Sequence, residues 1–455
     1  MISRKINLRE VLFSILIVIL PNLFFWYLCH NLGLHRVFIN IDYFIPIAFL
    51  YWNKKFTFFI LYIFVFFIDF LLIFGQIFPI IRVYDLLYLM KFSLLTSNVY
   101  KTYGLIVFSF LIFYIYFGYK FYRKIDKKLI LMSFNVFIFV YAIDINIFEE
   151  YSGKFWKPKS SLVSSLTVDY YNYNNSGFIG NYHIFGKPFS ELKVTGASSS
   201  IWKDKDIRYD KVLLIVNESW GVPINDDIQK NILSPVIDNI SVKKTIRKNI
   251  DFDGFTIAGE LRELCQKSPL HFNLKNQETG FEDCIPHFYK EKGYKTIAIH
   301  GALGLMYDRK YWYPRVGFEE ILFRDKGLNL KDSFCYSFPG NCDSDIAGVV
   351  LKKARENKKF FMYWLTLNTH SDYDIRDLKV DYMNCNEYNL DERSASCRNI
   401  KLQKQFFYNL SKIISDDAFK GTNVIIVGDH TPPIILKEKN IFIEKKVPVF
   451  SFVIE

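Results

Sequence analysis

Four apolar stretches of the chain each end in a side chain that can bind a metal or transfer a proton. Each stretch is too short for a helix and too apolar for an exposed strand, so we predict four buried parallel strands. In open α/β sheets, ligands bind beyond the carboxyl ends of the strands, and the four ends are therefore expected to line one pocket. The stretches are KVLLIVNE ending in Glu218, YKTIAIH ending in His300, FFMYWLTLNTH ending in His370, and NVIIVGDH ending in Asp429 and His430.

The pair Asp429 and His430 is the most informative of these ends. A carboxylate and an imidazole in succession are a hard and a borderline metal ligand, and the two prolines that follow stop the chain from continuing as a helix or strand. Together with Glu218, they predict a metal site at this edge of the sheet.

Thr256 precedes a helical pattern in the run DGFTIAGELREL, so it should lie at or near a helix N-terminus. Free N–H groups and partial positive charge there favour a phosphoryl group and a nucleophilic hydroxyl. The same composition is common in plain helix caps, and this segment alone favours a cap. Ser219 is a rival hydroxyl, but neighbouring strand residues point to opposite faces, so we predict that if Glu218 faces the metal, Ser219 does not.

Two further stretches carry polar side chains suited to substrate binding. Arg309 follows Tyr307 in a run of aromatic residues after His300, and an arginine fixed there suits a bidentate grip on a phosphate. A surface loop with interface aromatics explains the same residues equally well. His370 is a lone histidine at a strand end, which favours substrate binding or proton transfer over plain packing. Asp343, at the start of a predicted helix, is interpreted as structural.

The first 150 residues hold nearly all of the long apolar runs in a chain that is 51% hydrophobic and 18% aromatic. Their lengths are close to the roughly 20 residues that a bilayer-spanning helix requires. We predict a transmembrane domain over residues 1–150, an interfacial linker over 151–208 and a catalytic domain over 209–455. The net charge of +11 includes no dense Lys/Arg stripe, so nucleic-acid binding is not expected. The predicted spans are about 10–29, 38–52, 56–79, 103–122 and 128–148.

Basic residues set the expected orientation of these spans. They are concentrated at the N-terminus, near 54–55 and over 120–128, which predicts that the N-terminus is cytoplasmic and that everything after residue 150 is outside. Asp69 lies in the middle of the third span, where it either has a function or pairs within the bundle. The segment 84–95 could lie along the outer interface.

Six of the seven cysteines lie in the outer part of the chain and form three close pairs in the sequence. In an oxidising compartment this spacing predicts the disulfides 265–284, 335–342 and 385–397, although six cysteines allow fifteen pairings. The cysteine usage and the charge distribution both favour an exported domain.

These motifs together resemble the alkaline phosphatase and sulfatase superfamily. The resemblance is closest to its membrane-anchored branch of phosphoethanolamine transferases, phosphoglycerol transferases and lipoteichoic acid synthases. It implies a multi-pass α-helical membrane domain followed by an α/β sulfatase-like domain with a mainly parallel central sheet. The run CIPHF from Cys284 has Phe288 where a true sulfatase requires arginine, so sulfatase activity is not expected. In the resemblance, Glu218, Thr256, Asp429 and His430 match the metal ligands and the nucleophile, and His300, Tyr307, Arg309 and His370 match substrate-binding residues.

The resemblance further implies a two-step transfer at the bacterial inner membrane, with the catalytic domain periplasmic or extracellular. Zn²⁺, or alternatively Mn²⁺, would activate Thr256, which would accept a phospholipid head group, phosphoethanolamine above all, and pass it to an envelope glycan or lipid such as lipopolysaccharide. His370 would assist catalysis. Three alternatives remain open: a phosphoglycerol transferase of the same family, a membrane-anchored metal-dependent phosphatase or phosphodiesterase, and a non-enzymatic binding module.

Overall fold

The structure is a computed structural model, and its described residues form two compact units, one up to residue 183 and the other from Ile184 to Glu455. Each unit has its own buried core. The described residues are 8–32, 36–52, 54–77, 98–121, 127–147, 162–169, 171, 186–192, 194–203, 208–330, 332–338, 340–371, 373–434 and 441–455.

The first unit is built from apolar helices that bury aromatic side chains against one another, among them Phe25, Phe58 and Tyr114. A two-residue parallel bridge joins strand β1 (Ile39–Asn40) to β2 (Val163–Ser164). The helices are α1 (Leu8–Leu32), α2 (Phe44–Tyr51), α3 (Lys55–Ile77), α4 (Asn98–Phe121) and α5 (Lys127–Ile147).

The predicted spans correspond to these five helices, but the second differs in length. Helix α2 has eight residues, which is about 12 Å of rise and far less than the roughly 30 Å of a bilayer core. Among the described residues, Lys55–Ile73 and Lys101–Lys120 are long and apolar enough to cross a membrane. Ile15–Asn31 and Phe134–Ile143 are shorter apolar helical stretches.

Asp69, on α3, pairs with Arg36 in the interior of this unit. The Asp69 oxygens accept hydrogen bonds from Nε of Arg36 at 2.8 Å and from Nη2 at 2.5 Å, and Tyr43 donates a third at 3.1 Å. The remaining guanidinium donors bond to Asn22 and to the carbonyl of Val37. Because every donor of the arginine has a partner, the structure supports the interpretation of Asp69 as a pairing residue within the bundle.

Two predicted membrane-surface segments lie wholly or mostly outside the described residues. The segment 84–95 is one, and the greater part of the linker over 151–208 is the other, including Trp156, Tyr170, Tyr173 and Tyr182. Tyr171 is described and is exposed.

The second unit is organised around a seven-stranded sheet in the order β5-β11-β10-β4-β9-β7-β8. The strands from β10 to β8 in this order run parallel, whereas β11 pairs antiparallel with β10 and with β5. The predicted mainly parallel central sheet is confirmed. The strands are β4 (Lys211–Asn217), β5 (Val242–Asp251), β7 (Lys295–His300), β8 (Glu320–Leu322), β9 (Phe360–Leu365), β10 (Thr422–Gly428) and β11 (Lys446–Ile454), and β3 (Phe189–Glu191) pairs separately with β6 (Lys267–Pro269).

Helices cover the sheet and complete a core that includes Trp220, Trp364 and Phe406. The central strands β4 and β9 are buried almost throughout, as their uninterrupted apolar sequences predict. The helices are α6 (Ser199–Lys203), α7 (Asp226–Ile237), α8 (Thr256–Cys265), α9 (Ile285–Glu291), α10 (Arg309–Val316), α11 (Asp343–Glu356) and α12 (Ala395–Ile414).

Two of the three predicted disulfides, Cys265–Cys284 and Cys385–Cys397, are confirmed. The third prediction is wrong for this structure, because Cys335 and Cys342 are buried thiols. Each thiol has a hydrogen-bond acceptor of its own: Cys335 donates to the Asp377 carboxylate at 3.2 Å, and Cys342 donates to the Phe334 carbonyl at 2.7 Å.

Candidate active site at the strand ends

Glu218, Asp429 and His430 lie together at the carboxyl ends of two neighbouring parallel strands. Gly428 pairs with Asn217 at the last position of β10 and β4, so the residues that follow leave the sheet side by side. Nε2 of His430 lies 3.5 Å from Oε1 of Glu218 and 3.3 Å from Oδ2 of Asp429. We call these three residues the strand-end cluster.

The strand-end cluster fits a metal ion. One oxygen of Asp429 accepts backbone hydrogen bonds from Ser219 and His430 at 2.7 and 2.6 Å, but Oδ2 is buried and has no hydrogen-bond partner. One potential ligand atom from each of the three residues lies within 4.8 Å of the others. Two carboxylates and an imidazole are a donor set that Zn²⁺ and Mn²⁺ both accept.

The electrostatics of the cluster also favour a cation. Burial, together with the neighbouring Glu218 carboxylate, raises the pKa of the Asp429 carboxyl to about 7. Burial lowers the pKa of His430, but Asp429 and Glu218 together raise it above its ordinary value. Burial is the larger cause of the Asp429 shift, but Glu218 contributes to both shifts, and two carboxylates held side by side in the interior favour a positive charge placed near them.

Thr256 is the first residue of α8, and its hydroxyl points at the strand-end cluster. Oγ1 donates to Oε2 of Glu218 at 3.4 Å, and the side chain is buried. The N-cap position belongs to Phe255, which makes no side-chain capping bond, so Thr256 is not the N-cap residue. A buried hydroxyl at a helix N-terminus beside a carboxylate has the placement expected of a nucleophile.

Two residues that sequence reasoning did not single out fix α8 against β10. At Gly259 an added Cβ would lie 2.8 Å from the carbonyl oxygen of Asp429, so only glycine permits this approach. Arg262 is fully buried and donates to the carbonyl of Gly428 at 2.7 Å. An arginine within a helical sequence is usually exposed, so the sequence gives no sign that Arg262 is buried.

The prediction that Ser219 does not share the metal-facing side of Glu218 is wrong, because its hydroxyl contacts the Glu218 oxygen that lies near His430. Strand β4 ends at Asn217, and Ser219 has a φ of 48°, so the alternation of side chains along a strand no longer applies. Its Oγ donates to Oε1 of Glu218 at 3.0 Å. The Glu218 carboxylate therefore accepts one hydroxyl on each oxygen, from Ser219 and from Thr256.

Two side chains of helix α12 bind the backbone of the turn formed by Glu218 and Ser219. Asn399 donates to the carbonyl of Ser219 at 3.0 Å, and Gln403 donates to the carbonyl of Glu218 at 3.0 Å. These two residues were not predicted, because amides on a helix give no sign that their partner is a distant strand end.

Arg309 and His300 form the neighbouring part of the site. Nε and Nη2 of Arg309 donate to the buried carboxylate of Glu260 at 3.0 and 2.8 Å, and Nη1 lies 3.4 Å from Nε2 of His300. The Nε and Nη2 edge of the Arg309 guanidinium, which a bidentate grip on a phosphate would use, is therefore occupied by the Glu260 carboxylate. The Tyr307 ring lies 4.7 Å from the guanidinium carbon, and Tyr307 has a φ of 52° that places it there.

His300 is held as a neutral imidazole. Nδ1 lies 3.0 Å from the carbonyl oxygen of Leu365, which can only accept, so Nδ1 carries the proton and Nε2 is an acceptor. Burial and the charge of Arg309 hold the pKa of His300 well below its ordinary value. The Nε2 lone pair therefore faces the Nη1 group of Arg309.

His370 lies on the loop after β9 and is partly exposed. It is close enough to His300 to lower that residue's pKa, and its ring lies 4.7 Å from that of Phe338. Asp343 positions the loop, since its Oδ2 accepts hydrogen bonds from the backbone N–H groups of Leu367 and Asn368 at 2.9 and 2.7 Å. This contact agrees with the structural role predicted for Asp343.

The fold and the site together define an α/β protein with a potential metal centre at the strand ends and a helix-borne threonine beside it. The family model described as Sulfatase matches residues 211–445. The chain therefore belongs to the sulfatase family, within the alkaline phosphatase superfamily that its motifs resemble, and this superfamily is metal-dependent.

Several solved structures are similar to the chain. Lipooligosaccharide phosphoethanolamine transferase A (EptA) from Neisseria meningitidis has 12% identity and a TM-score of 0.46, over 98% of this chain and 87% of that one. The lipoteichoic acid synthase LtaP from Listeria monocytogenes has 14% identity and a TM-score of 0.43, over 57% and 71%. The phosphoglycerol transferase GacH from Streptococcus pyogenes has 16% identity and a TM-score of 0.39, over 56% and 72%. A comparison with curated protein sequences finds no match.

Proposed function

We propose that the protein is a membrane-anchored, metal-dependent transferase that moves a phospholipid head group to an envelope glycan or lipid through a covalent intermediate on Thr256. The observation that carries the proposal is the contact between the Thr256 hydroxyl and Glu218 at the N-terminus of α8. It combines a nucleophile, a helix N-terminus and a cluster of metal-ligand side chains at one place.

Glu218, Asp429 and His430, with the Thr256 hydroxyl, are the residues that would hold the metal, zinc for preference and manganese as the alternative. When bound, the metal would lower the pKa of the Thr256 hydroxyl and neutralise negative charge on the phosphoryl group. Ser219 donates to Glu218 and so keeps one carboxylate oxygen oriented, whatever occupies the site.

In the first step, Oγ1 of Thr256 attacks the phosphorus of the donor lipid. A new P–O bond forms to Thr256, the bond to diacylglycerol breaks, and diacylglycerol leaves as an alcohol by taking up the proton that the Thr256 hydroxyl releases. The N–H groups at the start of α8 would donate to the phosphoryl oxygens, and Nη1 of Arg309 would exchange one of its two long contacts, to His300 and to the carbonyl of Met306, for a phosphoryl oxygen. His300 keeps Nη1 directed, since it accepts from it and remains neutral.

In the second step, a hydroxyl of the acceptor attacks the phosphorus on Thr256 and restores the threonine. His370 takes the proton of the incoming hydroxyl, because it is partly exposed and, unlike His430, is not part of the strand-end cluster, and Oγ1 of Thr256 takes up a proton as it leaves. The same residue would also contact the acceptor. Water in place of the acceptor would make the protein a phosphodiesterase, and the apolar helices of the first unit favour a lipid donor over that alternative.

The membrane arrangement belongs to the same proposal. Helices α3 and α4 each contain a stretch long and apolar enough to span a bilayer, and α1 and α5 contain shorter apolar stretches, which supports a multi-pass domain over 1–150, with 151–208 as an interfacial linker and 209–455 as the catalytic domain. The two disulfides favour an oxidising compartment. We therefore place the N-terminus in the bacterial cytoplasm and the catalytic domain outside the inner membrane.

Release of diacylglycerol from defined phospholipids tests the function and the head group together. The wild-type protein should release it from phosphatidylethanolamine, and Thr256→Ala should not. Ser219→Ala is the matched control, because it also removes a hydroxyl from Glu218 but should retain part of the activity. Faster release from phosphatidylglycerol would assign phosphoglycerol as the head group. Release by Thr256→Ala at a near wild-type rate would contradict the proposal.

A further inference from the structure

Glu260 lies one helical turn after Thr256 on α8 and is fully buried. Its carboxylate accepts hydrogen bonds from Nε and Nη2 of Arg309, from the hydroxyl of Tyr363 at 3.2 Å and from the hydroxyl of Tyr313. We call Glu260, Arg309, Tyr313 and Tyr363 the Glu260 cluster. Since each of its acceptor oxygens has donors, the cluster is fully bonded without any ligand.

A spacing of four residues places Glu260 and Thr256 on the same face of the helix. The two side chains therefore project from one rigid element towards neighbouring parts of the site. Thr256 contacts the strand-end cluster, and Glu260 contacts the guanidinium of Arg309. The distance between the nucleophile and Arg309 is thus set by one turn of helix.

Nη2 of Arg309 donates to Oε2 of Glu260 at 2.8 Å, and Nε donates to Oε2 at 3.0 Å and to Oε1 at 3.3 Å, so these bonds fix the plane of the guanidinium as well as its position. With Nε and Nη2 bonded to Glu260, the remaining nitrogen, Nη1, lies 3.4 Å from Nε2 of His300 and 3.4 Å from the carbonyl oxygen of Met306. His300 is fixed in turn by the hydrogen bond from Nδ1 to the carbonyl of Leu365 on β9. A continuous series of contacts therefore links α8 to the end of a central strand through Arg309.

We propose that Glu260 is a positioning residue for the transfer: it orients Arg309, and through Arg309 it orients His300, relative to the Thr256 hydroxyl. The proposal rests on the proposed function. It predicts that Glu260 affects the reaction only by way of Arg309, which a purely structural carboxylate would not do.

A double-mutant cycle on the full-length protein tests this. The readout is the single-turnover rate of phospho-Thr256 formation from a saturating phospholipid donor, with the concentration giving half-maximal rate measured separately. Arg309→Gln should slow the reaction by about 100-fold, as the loss of one preorganised donor does elsewhere. Glu260→Gln should slow it by about 10-fold or more, and the double variant should be no slower than Arg309→Gln alone.

Glu263→Gln is the matched control. Glu263 is equally buried on the same helix, but it pairs with Arg262 and with backbone N–H groups of Ala197 and Ser198, so it does not reach Arg309. Its substitution should slow wild-type and Arg309→Gln proteins by the same factor. The proposal is overturned if Glu260→Gln also slows the wild-type and Arg309→Gln proteins by the same factor.

Glu260→Gln leaves the Arg309 charge unpaired and could prevent folding, whereas the double variant removes both charges. If the single variant does not fold, Tyr363→Phe completes the cycle, because it removes one donor to Glu260 and leaves the ion pair in place. A slowing of several-fold that disappears in the Arg309→Gln background supports the proposal, and an equal slowing in both backgrounds contradicts it.

Failure of the proposed function would have a different signature, namely a wild-type protein that forms no phospho-Thr256 from any phospholipid. The same variants would then be compared by hydrolysis of bis(p-nitrophenyl) phosphate, since Arg309 would face a phosphoryl group in either reaction. Non-additivity there supports the role of Glu260, and additivity overturns it.

Discussion

The two buried clusters that meet helix α8 differ in their balance of charge. The strand-end cluster places two carboxylates beside one imidazole, and Oδ2 of Asp429 is buried without a hydrogen-bond partner. The Glu260 cluster places one carboxylate against one guanidinium, with two tyrosine hydroxyls completing its bonds. One cluster carries excess negative charge and the other is neutral overall.

This difference separates two ways in which a site can be organised. The hydrogen bonds of the Glu260 cluster are complete with the protein's own groups, so the cluster fixes the position of Arg309 before any ligand binds. The strand-end cluster would be stabilised by an added cation, and in the proposed function the metal-dependent step therefore takes place at Thr256 rather than at Arg309. Helix α8 contacts the strand-end cluster through Thr256 and contributes Glu260 to the other cluster, so it fixes the distance between the two clusters.

The largest expected effect follows from removing the cation or one of its ligands. Chelation of metal, or Glu218→Gln, should reduce head-group transfer by more than about 1,000-fold, because the Thr256 hydroxyl would lose its activation. Elemental analysis of the purified protein measures the accompanying loss of metal. Transfer at an undiminished rate by metal-free protein would show that the strand-end cluster needs a cation no more than the Glu260 cluster does.

For the free energy of unfolding, we expect the larger loss from the Glu260 cluster and the smaller loss from the strand-end cluster. Glu260→Ala leaves Arg309 buried and unpaired, so it should lower the free energy of unfolding by about 3–5 kcal/mol with or without metal. In metal-free protein, Glu218→Ala removes one of two like charges and should cost little or even stabilise. Thermal unfolding of the chelated full-length proteins measures both, and an equal loss in the two variants would contradict the contrast.

A smaller effect is expected from Asp343, a buried carboxyl outside both clusters, whose Oδ2 accepts hydrogen bonds from the backbone N–H groups of Leu367 and Asn368. Burial raises its pKa from an ordinary 3.8 to about 7. The folded protein therefore retains a proton that the unfolded chain releases, and this stabilisation is present below about pH 4 and lost as the pH rises to about 7.

Asp343→Asn cannot titrate, so its stability should fall less over that pH range, by roughly 1.4 kcal/mol for each unit of pKa difference. Thermal unfolding at several pH values compares the two proteins. Parallel pH profiles for wild type and Asp343→Asn would show that another group is responsible.

The strands that carry Glu218, His300 and Asp429 could be predicted because each is an apolar run that ends in a polar side chain. Strand β5 could not be predicted. Its residues 243–249 are all exposed and mostly polar, and they form a strand through their pairing with β11. The sequence therefore identified the centre of the sheet but not its outer strand.

The residues of the strand-end cluster could be predicted for the same reason, because their spacing from the strands is short and fixed. Glu260 and Arg262 could not, since charged residues in a helical pattern are usually exposed and their partners lie far along the chain. The direction of Ser219 was missed because it depends on where β4 stops, and strand boundaries are the least predictable feature of a sequence.

The most direct test of the central claim is mass spectrometry of the peptide that contains Thr256, after incubation with a phospholipid donor and no acceptor. The wild-type protein should carry a head-group mass on Thr256 within the sequence DGFTIAGELR, and Thr256→Ser should carry it at a reduced level. The adduct should be absent from Thr256→Ala. An adduct on Ser219, or transfer without any adduct on Thr256, would contradict the account.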